Sequence, residues 1–144
     1  MFKKNNSYGI CLYKYIDGEA YILLCKSIDS ANRWGFLKGV QEENETITQT
    51  AIREFYEESG IKISINILED YYQQLNFEKD IGVFLVNYDK IPYNIDNFFN
   101  DLSLKKNYIC SENSDVRFFD VNNLPEIKKK QISLVNDIIK YLKE

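Results

Sequence analysis

Three of the glutamates in the segment between Gly39 and Ile61 lie close together, since Glu57 and Glu58 follow Glu54 at spacings of three and four residues. Side chains at these spacings meet on one face of an α-helix. Carboxylates held so close together repel one another, and a hard divalent cation relieves the repulsion because it prefers oxygen ligands. Such an ion can also polarise phosphoryl oxygens and activate water. The pattern therefore favours metal-assisted chemistry at phosphate groups.

The composition excludes several other kinds of chemistry. None of the 144 residues is a histidine, so no Ser-His-Asp triad, Cys-His pair or His-ligated zinc site can be built from this chain alone. The net charge of −4 argues against a surface that tracks a long nucleic acid. Cys11, Cys25 and Cys110 lie in apolar stretches without metal-ligand spacing. Three scattered cysteines of this kind are typical of reduced thiols in a cytoplasmic protein. No apolar run is long enough to span a bilayer, so we expect no membrane partner.

Two strands are expected near the start of the chain. Residues Tyr8–Tyr15 and Glu19–Lys26 are almost continuously apolar, and Asp17 and Gly18 between them form a typical hairpin turn. Strands of this composition are buried on both faces of a sheet. The hairpin is therefore expected to lie inside a layered fold.

The helix that carries the glutamates has recognisable ends. Thr46 and Gln49 have the spacing of a capping box, and Gly60 suits the left-handed position that follows a helix ending near Ser59. Its opposite face offers apolar side chains that can pack on the sheet, namely Ile47, Ala51, Ile52 and Phe55.

The remaining elements complete an α/β arrangement. Further strands are expected over Ile61–Leu68, Ile81–Asn87 and Val116–Val121, and an amphipathic helix within Leu124–Lys143. The buried stripe of that helix is expected to contain Ile132, Val135, Ile138, Ile139 and Leu142. No repeat or low-complexity linker interrupts the chain, which predicts one domain over residues 1–144 with a sheet between helical layers.

The glutamate segment resembles the signature of a known family. It fits the Nudix box, G-x5-E-x7-R-E-U-x-E-E-x-G-U with U an apolar residue, at Gly39, Glu45, Arg53, Glu54, Phe55, Glu57, Glu58, Gly60 and Ile61. The resemblance implies the Nudix α/β/α sandwich with a mixed sheet between helices. It also implies Mg²⁺-dependent hydrolysis of a phosphoanhydride bond, with Mn²⁺ as a substitute ion.

The resemblance also implies roles for residues in and near the box. Glu57 and Glu58 would be metal ligands, and Glu54 would be a ligand or the base that acts on the water. The backbone carbonyl of Lys38 would be a further ligand. Arg53 would orient the glutamates, and Glu45 would help to hold the loop.

Several Nudix enzymes recruit one more acid from outside the box. Glu112 is the candidate here, both as a catalytic residue and as a metal ligand, because SENSDVRFFDV resembles the family stretch in which a glutamate precedes an aromatic-bearing strand. Glu78, Asp80 and Asp115 are the competing candidates.

Candidate substrate contacts lie outside the box. The sequence RWGFLKG, residues 33–39, resembles the WGFPKG element of diadenosine polyphosphate hydrolases and mRNA-decapping Nudix enzymes, with Leu37 in place of proline. Arg33, Trp34 and Lys38 are therefore expected to bind substrate, with Lys38 facing the phosphate chain. Aromatic residues could stack on a base, namely Tyr71, Tyr72, Phe77 and Phe84, of which Tyr72 and Phe77 are assigned to the substrate site. The connection Asp89–Tyr108 could form the rim of the pocket.

These features predict a hydrolase of a dinucleoside polyphosphate such as diadenosine tetraphosphate. An RNA 5′-end pyrophosphohydrolase or mRNA-decapping enzyme is the second reading, because the same element serves that group. A housecleaning nucleoside triphosphate pyrophosphatase is the third. An interpretation of another class is a non-catalytic module that binds nucleotide. No obligate protein partner is evident.

Overall fold

A mixed sheet forms the centre of the protein in the computed structural model, which describes residues 5–144. The strands of this part are β1 Ser7–Ile16, β2 Glu19–Ser27, β3 Trp34–Gly35, β4 Leu37–Val40, β5 Tyr71–Gln74, β6 Ile81–Asn87 and β7 Asn113–Asp120. Its α-helices are α1 Ile47–Ser59 and α2 Ile132–Leu142.

Strand β1 organises the sheet. It runs parallel to β6 and antiparallel to both β2 and β4, which pair with different halves of it. Strand β5 extends the sheet beyond β6, while β7 and β3 pair with β2. Because β4 pairs with the first half of β1, the chain that enters α1 starts from the middle of the sheet.

The sheet is covered on both faces, as its apolar strands predict. Ile10 and Leu12 of β1 belong to a core cluster with Phe55 of α1. The alternate residue Cys11 belongs to a second cluster with Val135 of α2. Successive side chains of a strand point to opposite faces, so these clusters place one helix on each side. The predicted α/β/α sandwich with a mixed sheet is confirmed.

Local signals in the sequence correctly locate α1 and the first hairpin. Thr46 Oγ1 accepts a hydrogen bond from the Gln49 amide at 3.2 Å, and the Gln49 side chain accepts one from the Thr46 amide at 2.9 Å. Gly60 has a φ of 74°, which is the left-handed conformation expected after the helix. Asp17 and Gly18 both have positive φ values, which suit the tight turn between β1 and β2.

Three sequence expectations need correction. The strand expected over Ile61–Leu68 is wrong, because Ser64 caps a short 3₁₀ turn over Ile65–Ile67 and directs Ile65 to solvent. Strand β5 was not expected, because its sequence YYQQ lacks an apolar run. In α2, Ile132 is 44% exposed, and the core position assigned to it is taken by Leu134.

The described residues also bear on membrane and thiol chemistry. Within residues 5–144, neither α-helix combines the length and apolar character needed to cross a bilayer. Cys11, Cys25 and Cys110 are free, as expected. The assignment of residues 1–144 to one domain stays a prediction, and residues 1–4 lie outside the described part.

Candidate active site

Gly39 lets β4 approach the acidic face of α1. A Cβ atom at this position would fall on the carboxylate of Glu54. The register of β4 against β1 fixes the approach, since Gly39 pairs with Tyr8. The first glycine of the box is therefore a steric requirement of the site.

Arg53 lies at the centre of the acidic cluster. Its Nε donates to Glu45 Oε2 at 2.6 Å, and its Nη2 donates to Glu45 Oε1 at 2.9 Å. Its Nη1 donates to Glu54 Oε2 at 2.7 Å and to Glu57 Oε1 at 3.0 Å. Planar, two-point contacts of this kind fix the orientation of a carboxylate. The geometry is the one that an orienting role for Arg53 requires.

Glu45 is occupied by structural contacts. Besides Arg53, its Oε1 accepts hydrogen bonds from the Thr50 hydroxyl at 2.8 Å and from the Glu42 amide at 3.0 Å. The hydrogen bond from Arg53 is the main reason that the pKa of Glu45 falls to about 2. Glu45 thus ties the loop before α1 to the helix.

Glu58 lies deeper than its neighbours. Asn113 Nδ2 donates to Glu58 Oε1 at 3.1 Å, and Cys25 Sγ lies 3.8 Å from the same oxygen. Burial, followed by repulsion from Glu54 and Glu112, raises the pKa of Glu58 to about 7, although the Asn113 bond opposes the rise. Burial likewise raises the pKa of Glu54. Both shifts express the cost of collecting ionised carboxylates away from water.

A cavity of about 730 Å³ opens beside these carboxylates. Acidic residues on its walls are Glu42, Glu54, Glu57, Glu58, Asp29 and Glu112. Basic residues on its walls are Lys38, Lys79 and Lys128. Because carboxylates and ammonium groups line the same cavity, the site can hold both a cation and a phosphate anion.

The carboxylates on the cavity walls are the type of ligand that a hard divalent ion prefers, since they offer several oxygen atoms at one place. In the rotamers of residues 5–144, however, no three acidic or thiol groups converge to hold a metal. The reason is visible in the contacts, because Arg53 holds Glu54 and Glu57 while Asn113 holds Glu58. Metal binding at this site would require Glu57 to turn away from Arg53, whereas Glu54 Oε1 and Glu58 Oε2 accept no hydrogen bond from Arg53 or Asn113.

The structure places Glu112 beside the box glutamates, on the wall of the same cavity. Its three competitors have other partners. Glu78 pairs with Lys130 at 3.0 Å and Asp115 pairs with Arg117 at 3.3 Å. Asp80 accepts a hydrogen bond from the Asn76 amide at 3.1 Å.

The five substrate-binding candidates are not brought together. Lys38 lines the main cavity and a neighbouring cavity, and Arg33 lines only the neighbouring one, where its Nε pairs with Glu126 at 3.1 Å. Trp34 is only 8% exposed and packs edge-on against Phe119, with ring centroids 4.7 Å apart. Its contacts explain it as part of the core.

Tyr72 and Phe77 line neither of these two cavities. Tyr72 packs against Tyr141 of α2, with ring centroids 6.0 Å apart. Phe77 is 87% exposed on the connection between β5 and β6. The structure therefore gives no geometric support to a stacking role for either ring. The segment Asp89–Tyr108 contributes no residue to these walls either.

Three residues on the cavity walls were missed by sequence reasoning, namely Lys79, Asn113 and Lys128. Each comes from a different connection or strand end, and none belongs to a local motif. The β5–β6 connection, the pairing of β7 with β2 and the return of the chain before α2 bring Lys79, Asn113 and Lys128, respectively, to the box. The run of three lysines at residues 128–130 is the signal in the sequence that points to Lys128.

Comparison with known proteins identifies the fold. A Caenorhabditis elegans Ap4A hydrolase superimposes with a TM-score of 0.64 at 16% identity, over 96% of this chain and 93% of that one. The NUDIX domain of Shewanella oneidensis NrtR, solved with ADP ribose, gives 0.67 at 14% identity, over 99% and 90%. A NUDIX hydrolase from Nitrosomonas europaea gives 0.65 at 21% identity, over 100% and 73%. No protein of curated function matches the sequence.

These identities establish the fold alone, and the family rests on the sequence profile. The profile of the NUDIX domain matches residues 7–137, which is most of the chain. Members of this family generally use divalent metal ions. The chain therefore belongs to the Nudix family and is a pyrophosphohydrolase that acts on nucleotide-linked pyrophosphate bonds.

Proposed function

We propose that this enzyme hydrolyses a phosphoanhydride bond of a dinucleoside polyphosphate such as diadenosine tetraphosphate, with Mg²⁺ as its metal. The observation that carries the proposal is the position of Lys38. This half-buried lysine lines the same cavity as Glu54, Glu57 and Glu58. A cation-binding face and a phosphate-binding ammonium group thus share one space.

Lys38 has the properties of a phosphate-binding lysine. Burial, followed by the charges of Lys79 and Lys128, lowers its pKa to about 8. Among residues 5–144, no carboxylate forms an ion pair with it. An ammonium group that is partly removed from water favours an anionic ligand, and a phosphate chain supplies one. The resemblance of RWGFLKG to the element of diadenosine polyphosphate hydrolases supports this class of substrate.

Mg²⁺ suits the carboxylates because it binds through one or two of them together with water and substrate phosphates. Glu57 and Glu58 are the proposed ligands, with Glu112 and the Lys38 carbonyl completing the protein's contribution. A bound ion of this kind would polarise the phosphoryl oxygen and make water easier to deprotonate. Mn²⁺ should replace it, since it accepts the same oxygen ligands.

The chain's own groups account for the proton and the developing charge. Arg53 occupies Oε2 of Glu54, so Oε1 is the atom we assign to accept the proton of the attacking water. The raised pKa of Glu54 suits a base. The water oxygen forms the new bond to phosphorus as the anhydride P–O bond breaks, and the leaving phosphate keeps the electron pair. We assign Lys38 to stabilise that charge, because it lines the same cavity as the glutamates.

A second candidate is hydrolysis at the triphosphorylated or capped 5′ end of an RNA. The same RWGFLKG element favours it, and Lys129 and Lys130 line the cavity next to the main one. Hydrolysis of a free nucleoside triphosphate is the third candidate, since this substrate carries the same triphosphate group without the attached RNA. The alternative that is not an enzyme is a module that binds nucleotide without turnover.

The experiment that separates these readings is a substrate panel with products resolved by chromatography. Diadenosine tetraphosphate, triphosphorylated RNA, capped RNA, nucleoside triphosphates and ADP-ribose are each incubated with Mg²⁺ and with Mn²⁺. The expected result is the highest kcat/KM for diadenosine tetraphosphate, with two smaller nucleotides as products. A clear preference for RNA 5′ ends would overturn the first assignment. Tight binding of nucleotide without consumption of any substrate would contradict the proposal that the protein is a hydrolase.

A further inference from the structure

A second cavity of about 590 Å³ adjoins the main one. The two cavities share five wall residues, namely Ser27, Asp29, Lys38, Lys79 and Lys128. Arg33, Lys129 and Lys130 line the second cavity only. A chain of phosphates that begins at the box glutamates could therefore continue into a space whose walls are basic.

The lysines at the junction are not neutralised by the protein. Within residues 5–144, Lys38, Lys79 and Lys128 form no ion pair, whereas Arg33 and Lys130 are paired with Glu126 and Glu78. Burial, followed by the charges of Lys130 and Lys128, lowers the pKa of Lys79. Gathering like charges in a partly buried place costs free energy. An anionic ligand would remove that cost.

The backbone that carries Lys128 is held firmly in place. The Lys128 amide donates to the Trp34 carbonyl, and the Trp34 amide donates to the Glu126 carbonyl, both at 2.9 Å. Gln131 Oε1 accepts a hydrogen bond from the Phe36 amide at 2.8 Å, and its side chain fills the space above Gly35. The segment before α2 is thus tied to the RWGFLKG element.

Gln74, the last residue of β5, and Asn76, in the β5–β6 connection, hold the same segment from its other side. Gln74 Nε2 donates to the Lys129 carbonyl at 3.4 Å, and Asn76 Nδ2 donates to the Lys130 carbonyl at 3.1 Å. Lys128 Nζ is oriented by a hydrogen bond of 3.2 Å to Ser27 Oγ. The Lys128 ammonium group therefore has a defined position, which is what a preorganised anion site requires.

We propose that Lys79 and Lys128 form a second phosphate subsite, which binds the part of the polyphosphate chain that lies away from the bond to be broken. This inference rests on the proposed function and extends it to chain length. The subsite makes the enzyme favour substrates with long polyphosphate chains over diphosphates such as ADP-ribose, whose two phosphates would lie beside the box glutamates and Lys38 and would not extend to the junction of the two cavities.

Binding without turnover tests the subsite directly. Isothermal titration in metal-free buffer compares inorganic tetrapolyphosphate with pyrophosphate for the wild type and for Lys79→Gln, Lys128→Gln and Lys79→Arg. Lys140→Gln is the matched control, because Lys140 is an exposed lysine on α2 that lines neither cavity. Loss of one charge-assisted contact should weaken tetrapolyphosphate binding about tenfold. Pyrophosphate binding should change less than about twofold, and Lys79→Arg and Lys140→Gln should behave as the wild type.

Steady-state kinetics test the same claim on nucleotides. Lys79→Gln and Lys128→Gln should lower kcat/KM for diadenosine tetraphosphate about tenfold, mainly through KM, and leave the value for ADP-ribose nearly unchanged. An unaltered ratio between the two substrates, or an equal loss in Lys140→Gln, would overturn the subsite. Selective loss of tetrapolyphosphate binding in an enzyme that consumes no dinucleoside polyphosphate would support the subsite and contradict the proposed function.

Discussion

Asn113 Nδ2 donates a hydrogen bond of 3.1 Å to Glu58 Oε1 and so joins the first residue of β7 to the last turn of α1. The donor is buried, and its hydrogen bond, followed by the charge of Lys38, favours the ionised form of Glu58 against burial. Groups that orient a metal ligand from behind contribute strongly to metal affinity. Asn113 is therefore a positioning residue for the proposed metal site.

Replacing Asn113 should weaken metal binding more than the chemical step. In Asn113→Ala, we expect the Mg²⁺ concentration for half-maximal turnover to rise about tenfold, because Glu58 loses the group that orients it. Titration of activity with Mg²⁺ measures this change. Asn122→Ala is the matched control, since Asn122 bonds to Glu19 at 2.6 Å outside the cavity. An unchanged metal requirement in Asn113→Ala would remove the positioning role.

Gly39→Ala should strongly reduce turnover while the fold persists. The new Cβ would displace the Glu54 carboxylate, so we expect kcat to fall by about a hundredfold or more, as for the loss of a catalytic base. Gly18→Ala should instead lower stability and leave turnover unchanged. Gly18 has open space around it but a φ of 83°, so alanine there costs about 1 kcal/mol of stability and leaves activity intact. Circular dichroism melts and initial rates of both variants test the contrast, which equal activity losses would contradict.

Glu58→Gln should stabilise the metal-free protein in mildly alkaline buffer. The folded pKa of Glu58 is about 7 against an ordinary value of 4.5, so stability is lost as pH rises between these two values. Removing the charge should raise the free energy of unfolding by roughly 1–3 kcal/mol at about pH 8, with little difference near pH 4. Urea unfolding in EDTA measures both. Destabilisation of the variant at both pH values would show that the buried charge is not costly.

Glu45→Gln should remove an acid-sensitive part of the stability. Arg53 lowers the folded pKa of Glu45 to about 2 from 4.5. A lowered pKa contributes stability that is complete above the unfolded value and is lost as pH falls toward the folded one. The difference in unfolding free energy between wild type and variant should therefore shrink as pH falls from about 5 to about 3. Urea unfolding across this pH range tests the prediction. A difference in unfolding free energy that does not change with pH would contradict a stabilising ion pair between Glu45 and Arg53.

Much of the framework could be predicted because its determinants are local. The capping box of Thr46 and Gln49, the turn at Asp17 and Gly18, and Gly60 after α1 each specify a conformation within a few residues. The strand expected over Ile61–Leu68 failed because its apolar spacing resembles that of a strand, while Ser64 caps a turn instead.

The candidate site divides in the same way. The box glutamates and Arg53 share one helix, so their proximity follows from helical spacing. Lys79, Asn113 and Lys128 reach the cavity through strand pairing and long connections, which no local pattern encodes. Tyr72 illustrates the converse, because an aromatic residue near the site in sequence packs on α2 once the sheet forms.

The most direct test of the account is the metal dependence of diadenosine tetraphosphate hydrolysis by the wild type, Glu57→Gln and Glu58→Gln. Glu43→Gln is the control, because Glu43 is exposed on the same segment and does not line the cavity. We expect turnover by the wild type and the control in Mg²⁺, none in EDTA, and a fall of about a thousandfold in both box variants, as for the loss of metal-assisted catalysis. Unchanged turnover in both variants, or turnover by the wild type in EDTA, would contradict the assignment of these glutamates to a catalytic metal.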